Sequence, residues 1–110
     1  MGPQAGAAGA EATDEMNIVW SPEAIQDLIL LRAYIAEDSP AAAQRIVLRI
    51  LHDVENLLPD NPHMGRPGRV PGTRELIVPK TPYIVPYRVE GETIQILRVY
   101  HGARRWPDSF

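Results

Sequence analysis

Arginine is the residue type whose distribution along this 110-residue sequence most suggests chemistry. Between His63 and Phe110 there are eight basic residues and four acidic ones, and seven of the eight bases are arginine. A planar guanidinium donates paired hydrogen bonds to a carboxylate or a phosphate. We therefore expect this half of the chain to bind an acidic partner, through five arginines: Arg66, Arg69, Arg74, Arg98 and Arg104. The alternative is that each arginine only hydrates the outer face of a sheet.

The preceding segment, residues 16–62, has the opposite charge, with three bases against seven acids. The formal net charge of −3 thus conceals an acidic and a basic half. The chain has no cysteine, so it has neither disulfides nor thiolate ligands, and we expect a cytoplasmic protein. Its three histidines are not at helical or strand spacing, which predicts no metal site, and no motif suggests a cofactor. The apolar runs are too short to cross a membrane.

Residues 1–15 differ from the rest because they contain glycine, alanine and acids but almost no large apolar side chain. We predict that they form a flexible tail, since they cannot offset the entropy lost on ordering. They lack the basic start and apolar centre of a signal peptide. Residues 16–110 are long enough for one domain with a modest core.

Two amphipathic helices are predicted in the first half of this domain. Asn17–Trp20 alternates as a short strand, and the Ser-Pro pair at Ser21 then predicts a capped helix start. A second Ser-Pro pair at Ser39 starts another helix, which ends before Pro59–Pro62. The apolar stripes of the two helices consist of Ala24, Leu28, Leu31 and Ile35, and of Ala43, Val47, Ile50, Val54 and Leu57. So short a link predicts an antiparallel helical hairpin.

The second half changes to the two-residue period of strands. A Gly/Pro-rich loop over residues 63–73 precedes three predicted strands, Arg74–Val78, Tyr83–Val89 and Thr93–Tyr100. Short turns between them favour an antiparallel meander, with the first strand beside the last. The sequence therefore predicts an α+β fold of order β-α-α-β-β-β, a helical hairpin on a four-stranded antiparallel sheet. Pro86 lies within a predicted strand and has no N–H to donate, so we expect a bulge or a missing bond there, or a strand that lies closer to the sheet edge than this order places it.

Several short strings occur in the order and spacing typical of the RelE/ParE toxin superfamily, also called plasmid-stabilisation proteins. They are Trp20-Ser21-Pro22-Glu23-Ala24, Pro40-Ala41-Ala42-Ala43, Gly65-Arg66-Pro67-Gly68, Gly72-Thr73-Arg74-Glu75-Leu76, Tyr87-Arg88-Val89 and Leu97-Arg98-Val99-Tyr100-His101-Gly102-Ala103-Arg104. The resemblance covers about residues 16–107. It implies a growth-inhibiting toxin of a type II toxin-antitoxin system, neutralised in a hetero-oligomer by a ParD- or RelB-like antitoxin that covers the basic surface.

One branch of this superfamily, resembling RelE, cuts messenger RNA on the ribosome. For that reaction the resemblance implies phosphate contacts from Arg74 and Arg104 and proton transfer by His101, since a 2′-hydroxyl must be activated and charge on the phosphate stabilised. The chain departs from the nuclease pattern at Ile84, where the resemblance calls for arginine, and it lacks the late catalytic tyrosine.

The other branch, resembling ParE, inhibits DNA gyrase by binding and needs no catalytic residues. The missing nuclease residues favour this branch, with Trp106 added to the arginines as a binding residue. Other interpretations stay open: a non-toxic relative that only pairs with its antitoxin, or a strand-end His101 and a Trp106 that merely packs on the sheet. A generic RNA-binding domain would need exposed aromatics, whereas Tyr83 and Tyr87 share a face with core valines.

Overall fold

The computed structural model describes residues 16–110, and the predicted tail of residues 1–15 lies outside this part. Two helices pack on one face of a six-stranded sheet. In chain order the elements are β1 (Asn17–Trp20), α1 (Pro22–Ala36), α2 (Pro40–His52), a π-helical turn (Asp53–Leu57), β2 (Arg66–Pro67), β3 (Arg74–Ile77), β4 (Tyr83–Glu90), β5 (Thr93–Ile96) and β6 (Tyr100–His101). The α+β class and the helical hairpin are confirmed.

Both helices begin at the predicted Ser-Pro pairs. The Ser21 hydroxyl accepts a hydrogen bond from the Ala24 N–H at 2.9 Å, and Ser39 accepts one from Ala42 at 3.1 Å. In each case a proline occupies the first helical turn, where its missing N–H costs nothing. The local sequence therefore determines both helix starts.

The helices bury their apolar stripes against the sheet. Ile50 and Val54 are fully buried, as the stripe of α2 predicts. At its end the helix widens into the π-helical turn, where the Leu58 N–H bonds to the Asp53 carbonyl at 3.3 Å. The wider turn directs Leu58 into the core, while the predicted Leu57 is only half-buried. The stripe is thus correct except for this last position.

The sheet is mixed, which corrects the prediction of a wholly antiparallel one. Its main strand order is β1-β5-β4-β3-β2, and β1 runs parallel to β5. The prediction was wrong because it treated residues 63–73 as a simple loop. Within that loop the two-residue strand β2 pairs antiparallel with β3, so the chain reverses direction once more than expected.

The third predicted strand, Thr93–Tyr100, is broken in the middle. It forms β5 and then β6, which pairs separately with the start of β4. Between the pairs Tyr87↔Ile96 and Ile84↔Tyr100, β4 has two residues and its neighbour has three. Three residues on one strand opposite two on the other form a β-bulge, because one strand carries an extra residue. The expected bulge at Pro86 is therefore confirmed, although β4 is an interior strand.

Ser21 and Asp27 supply the hydrogen bonds that the bulge leaves open. The Leu97 N–H donates to the Pro86 carbonyl at 3.0 Å, but Pro86 has no N–H to return to Leu97. The Ser21 hydroxyl donates to the Leu97 carbonyl instead, at 2.8 Å. Asp27 accepts the N–H of Val99 at 2.9 Å. The start of α1 thus completes the backbone bonding of the interrupted strand.

This double role of Ser21 leads to a specific prediction. Aspartate caps helices as well as serine does, but a carboxylate cannot donate to the Leu97 carbonyl. Ser21→Asp should therefore lower the free energy of unfolding by about 1–3 kcal/mol, whereas Ser21→Thr should stay close to the original. Urea denaturation measures both.

The matched control is Ser39→Asp, because the Ser39 hydroxyl caps α2 and, within residues 16–110, bonds to no strand. Its unfolding free energy should change by less than about 0.5 kcal/mol. Equal losses of unfolding free energy in Ser21→Asp and Ser39→Asp would show that Ser21 acts only as a helix cap.

Candidate partner-binding face

The predicted binding residues lie mainly on the sheet face that points away from the helices. Leu76, Val85 and Tyr87 belong to the core that includes helix residues. Successive strand residues point to opposite faces, so Glu75 and Ile84 point the other way. The short strands β2 and β6 pair with Glu75 and Ile84 and bring arginine and aromatic side chains to this face.

A buried carboxylate anchors two of the predicted arginines there. Glu75 is 1 % exposed, and its carboxylate accepts the Nε of Arg66 at 2.9 Å and the backbone N–H of Arg69 at 2.7 Å. The Arg69 guanidinium lies 3.5 Å away as a second ion-pair partner. Glu75 therefore holds the loop between β2 and β3 against the sheet, since an unpaired buried charge would be costly.

Arg69 also contacts the last segment of the chain. Its guanidinium carbon lies 3.9 Å from the centre of the Trp106 ring, a cation–π contact. Trp106 in turn packs edge-on against Tyr100, with ring centres 5.1 Å apart. Arg98 and Arg104 lie over the Tyr100 ring at 4.8 and 4.3 Å. We call these five residues the aromatic–arginine cluster.

Arg98 is fixed in the cluster by helix α1. Its Nε and Nη2 donate to the two carboxylate oxygens of Asp27 at 2.8 and 2.9 Å. These hydrogen bonds raise the pKa of the Arg98 guanidinium above its usual value, against the opposing effect of burial. Arg98 is therefore mainly a structural residue, with Tyr100 resting beside it.

A cleft of about 630 Å³ opens beside the cluster, between the start of α1 and the end of the chain. Its walls include Tyr100, Trp106 and Phe110, together with Arg104 and Arg105. Among the described residues 16–110, no carboxylate pairs with Arg104 or Arg105. Two guanidinium groups are thus available for an acidic ligand, beside aromatic surface for an apolar one.

Arg74 and His101 lie apart from this cluster. Arg74 pairs with the core residue Tyr87 and so lies on the helix-facing side, where it donates to the carbonyls of Gly65 and His63 at 2.7 and 3.1 Å. His101 packs edge-on against Tyr83, also a core residue, at 5.6 Å. The structure therefore brings together Arg69, Arg98, Arg104 and Trp106, adds Arg66 through Glu75, and separates Arg74 and His101.

His101 is held by its own backbone neighbourhood. Its Nδ1 accepts the Ala103 N–H at 3.1 Å, which is the strand-end role considered for it in the sequence. Arg104 lies on the opposite side of β6, over Tyr100. A substrate phosphate at Arg104 would therefore not face the His101 ring.

Four contributors to this face were missed in the sequence: Asp27, Glu75, Tyr100 and Arg105. For Asp27 the sequence did contain a signal, because this acid lies on the apolar stripe of α1 between Ala24 and Leu31. An acid in that position needs a buried partner. For Glu75 no local sequence pattern indicated a role, since its contacts with Arg66 and Arg69 form only when the loop between β2 and β3 folds back on the sheet.

Tyr87 holds the loop whose carbonyls accept hydrogen bonds from Arg74. Its hydroxyl donates to the Pro62 carbonyl at 2.8 Å and accepts the Gly65 N–H at 2.9 Å. A Cβ at position 65 would lie 2.7 Å from this hydroxyl, so only glycine fits there. Burial raises the pKa of Tyr87 above its usual value of 10.0, although the Gly65 hydrogen bond and then the Arg74 charge act against it. The buried positions of Tyr83 and Tyr87 also remove both from any role in base stacking.

Within residues 16–110 no three histidine or acidic side chains come close enough to hold a metal ion. No helix of the same part of the chain has the length and apolar character needed to cross a membrane.

Comparison with solved structures places this fold among toxins of toxin-antitoxin systems. A chain of the chromosomal ParDE system from P. aeruginosa superposes with a TM-score of 0.71 at 34% sequence identity, over 81% of this chain and 98% of that one. The class is therefore that of the RelE/ParE toxins, which confirms the resemblance found in the sequence.

Curated relatives and a family model narrow this class. Y4kP of Sinorhizobium fredii, named as a toxin, is 43% identical over 90 residues, covering 82% of this chain and 92% of its own. Toxin RelE2 of Caulobacter vibrioides is 37% identical over 79% of this chain and 96% of its own. The model of the ParE toxin of type II toxin-antitoxin systems matches residues 18–106. The chain belongs to this family and is the toxin of such a system.

The Tyr87 contacts predict a pH dependence of stability. Because the folded pKa is raised, the phenol contributes stability that is complete below pH 10 and is lost as pH rises through the folded pKa. Tyr87→Phe should lower the unfolding free energy by about 1–2 kcal/mol at pH 8, and this difference should shrink above pH 10. Urea denaturation at both pH values measures it.

The control is Tyr34→Phe, because Tyr34 is 73% exposed. It should leave stability at pH 8 unchanged within about 0.5 kcal/mol. If the loss of unfolding free energy in Tyr87→Phe grew with pH, it would contradict the stabilising role assigned to the neutral Tyr87 phenol.

Proposed function

We propose that this toxin inhibits DNA gyrase by binding it and that a ParD-like antitoxin neutralises the toxin. The observation that carries the proposal is the separation of His101 and Arg74 from Arg104. Cleavage of RNA needs a proton-transfer group and phosphate-binding groups around one phosphate. The three residues that could supply them lie on two faces, whereas inhibition by binding needs only a complementary surface.

Membership of the ParE family supports the same conclusion. So does the likeness to the ParDE system, because that toxin chain is matched over nearly its whole length.

The aromatic–arginine cluster and its cleft are the surface that we propose for the antitoxin. The unpaired guanidinium groups of Arg104 and Arg105 suit acidic side chains, and the aromatic walls suit an apolar anchor between them. Arg66 and Arg69 extend the basic surface along the edge at β2. Arg74 belongs to a separate small pocket that it shares with His63 on the other face.

A ribosome-dependent messenger-RNA nuclease is the second candidate. Its support is the 37% identity to a protein named Toxin RelE2. In this alternative Arg104 would bind the phosphate, and substrate binding would have to turn His101 toward it. A third possibility is a relative that binds its antitoxin without being toxic.

Induced expression in bacteria separates these candidates. We expect growth arrest with intact messenger RNA, and loss of supercoiling activity when purified toxin is added to gyrase. Codon-positioned RNA cleavage with normal supercoiling would establish the nuclease instead. Normal growth at full expression would mean the non-toxic relative.

Charge reversal tests the proposed antitoxin surface. Arg104→Glu should weaken antitoxin binding at least about tenfold, because like charges then face each other. Arg104 makes no ion pair among the described residues, so the fold should persist. Calorimetric titration of the co-expressed antitoxin measures the affinity.

Arg45→Glu is the matched control for this variant, since Arg45 is an exposed arginine on α2, outside the cluster. The affinity of Arg45→Glu for the antitoxin should stay within about twofold of that of the original protein. Equal losses for both variants would show a general effect of charge, and no loss at Arg104 would exclude the surface.

A further inference from the structure

The end of the chain is attached to the sheet by side chains more than by backbone. The Gly102 N–H donates to the Pro82 carbonyl at 2.7 Å, and the Arg104 backbone N–H donates to the His101 carbonyl at 2.9 Å. Beyond Arg104, no backbone hydrogen bond joins residues 105–110 to the rest of the described chain. We call residues 102–110 the C-terminal strap.

Trp106 is the main contact of this strap. Its ring lies between the Arg69 guanidinium, 3.9 Å away, and the edge of Tyr100, with ring centres 5.1 Å apart. Phe110 adds a looser contact to Tyr100 at 6.2 Å. Arg104 also lies over the Tyr100 ring at 4.3 Å, but most other strap residues are exposed, so closure of the strap depends chiefly on the indole ring.

The closed position leaves one polar group unsatisfied. The Nε1 of Trp106 is buried and has no hydrogen-bond partner within the described residues. A buried donor without an acceptor loses the hydrogen bond that it makes with water when exposed. The closed strap is therefore stabilised by the ring contacts and destabilised by its own N–H.

We propose that Trp106 is a latch, and that the strap opens from the sheet as a local unit to give a partner access to Tyr100 and the neighbouring Arg98. A partner that offers an acceptor to the indole N–H, or an aromatic side chain in place of Trp106, would hold the strap open. The inference rests on the proposed function only in naming the antitoxin as that partner. The test of the latch uses the toxin alone, so the latch can fail while the proposed function holds, and the proposed function can fail while the latch holds.

The test compares two arginines that share Glu75. Arg66 makes two short contacts to Glu75, through Nε and Nη2 at 2.9 and 2.8 Å, and within residues 16–110 it makes no cation–π contact with Trp106. Arg69 contacts both. In a Trp20→Phe background, where Trp106 is the one remaining tryptophan, Arg69→Gln should increase acrylamide quenching and speed trypsin cleavage after Arg104 and Arg105 by about threefold or more.

Arg66→Gln removes the shorter ion-pair contacts of Glu75, so a general loosening of the loop would expose Trp106 at least as much in this variant. We expect its cleavage rate to stay within about twofold of the original. Equal acceleration in both variants would overturn the latch.

Trp106→Phe provides a test that misfolding cannot imitate. Phenylalanine keeps a ring between Arg69 and Tyr100 but removes the unsatisfied N–H. Cleavage at Arg104 and Arg105 should become slower, by about threefold or more. Faster cleavage would show that the N–H does not oppose closure, and the proposal would fail.

Discussion

The missing N–H of Pro86 is the constraint on which the rest of this structure depends. An interior strand cannot lose a donor without leaving a carbonyl unbonded, and here that carbonyl belongs to Leu97. The Ser21 hydroxyl donates to it while capping α1, and Asp27 accepts the N–H of Val99, two residues further on. The bulge thus fixes where α1 starts relative to the sheet. It also turns the chain so that β6 presents Tyr100 on the face away from the helices.

That face differs from a catalytic centre in how its polar groups are used. The buried Glu75 holds Arg69 and the half-buried Asp27 holds Arg98, and these arginines in turn contact the Trp106 and Tyr100 rings. The Arg98 charge and the Tyr100 ring are therefore already arranged beneath Trp106 before a partner opens the strap. Preorganisation of this kind favours binding because little side-chain entropy is left to lose.

Much of the fold could be predicted from the sequence because its signals are local. Serine and proline mark both helix starts, the helix stripes reach the core, and a proline within a strand predicts the bulge. The direction of β1 could not be predicted, since it depends on the two-residue strand β2, which is too short to show periodicity. For the same reason the sequence could not separate Arg74, which lies on the helix-facing side of β3, from the other arginines. Asp27 and Arg98 are 71 residues apart, and no local pattern connects them.

The central claim is that this toxin acts through a binding surface and not through proton transfer, and growth of cells expressing His101→Ala tests it most directly. The side chain of His101 contacts Tyr83 and its own turn, away from the aromatic–arginine cluster. We predict that the variant arrests growth as fully as the original protein when the two are present at equal levels. Normal growth of cells containing folded His101→Ala protein would contradict the account and identify His101 as a catalytic residue.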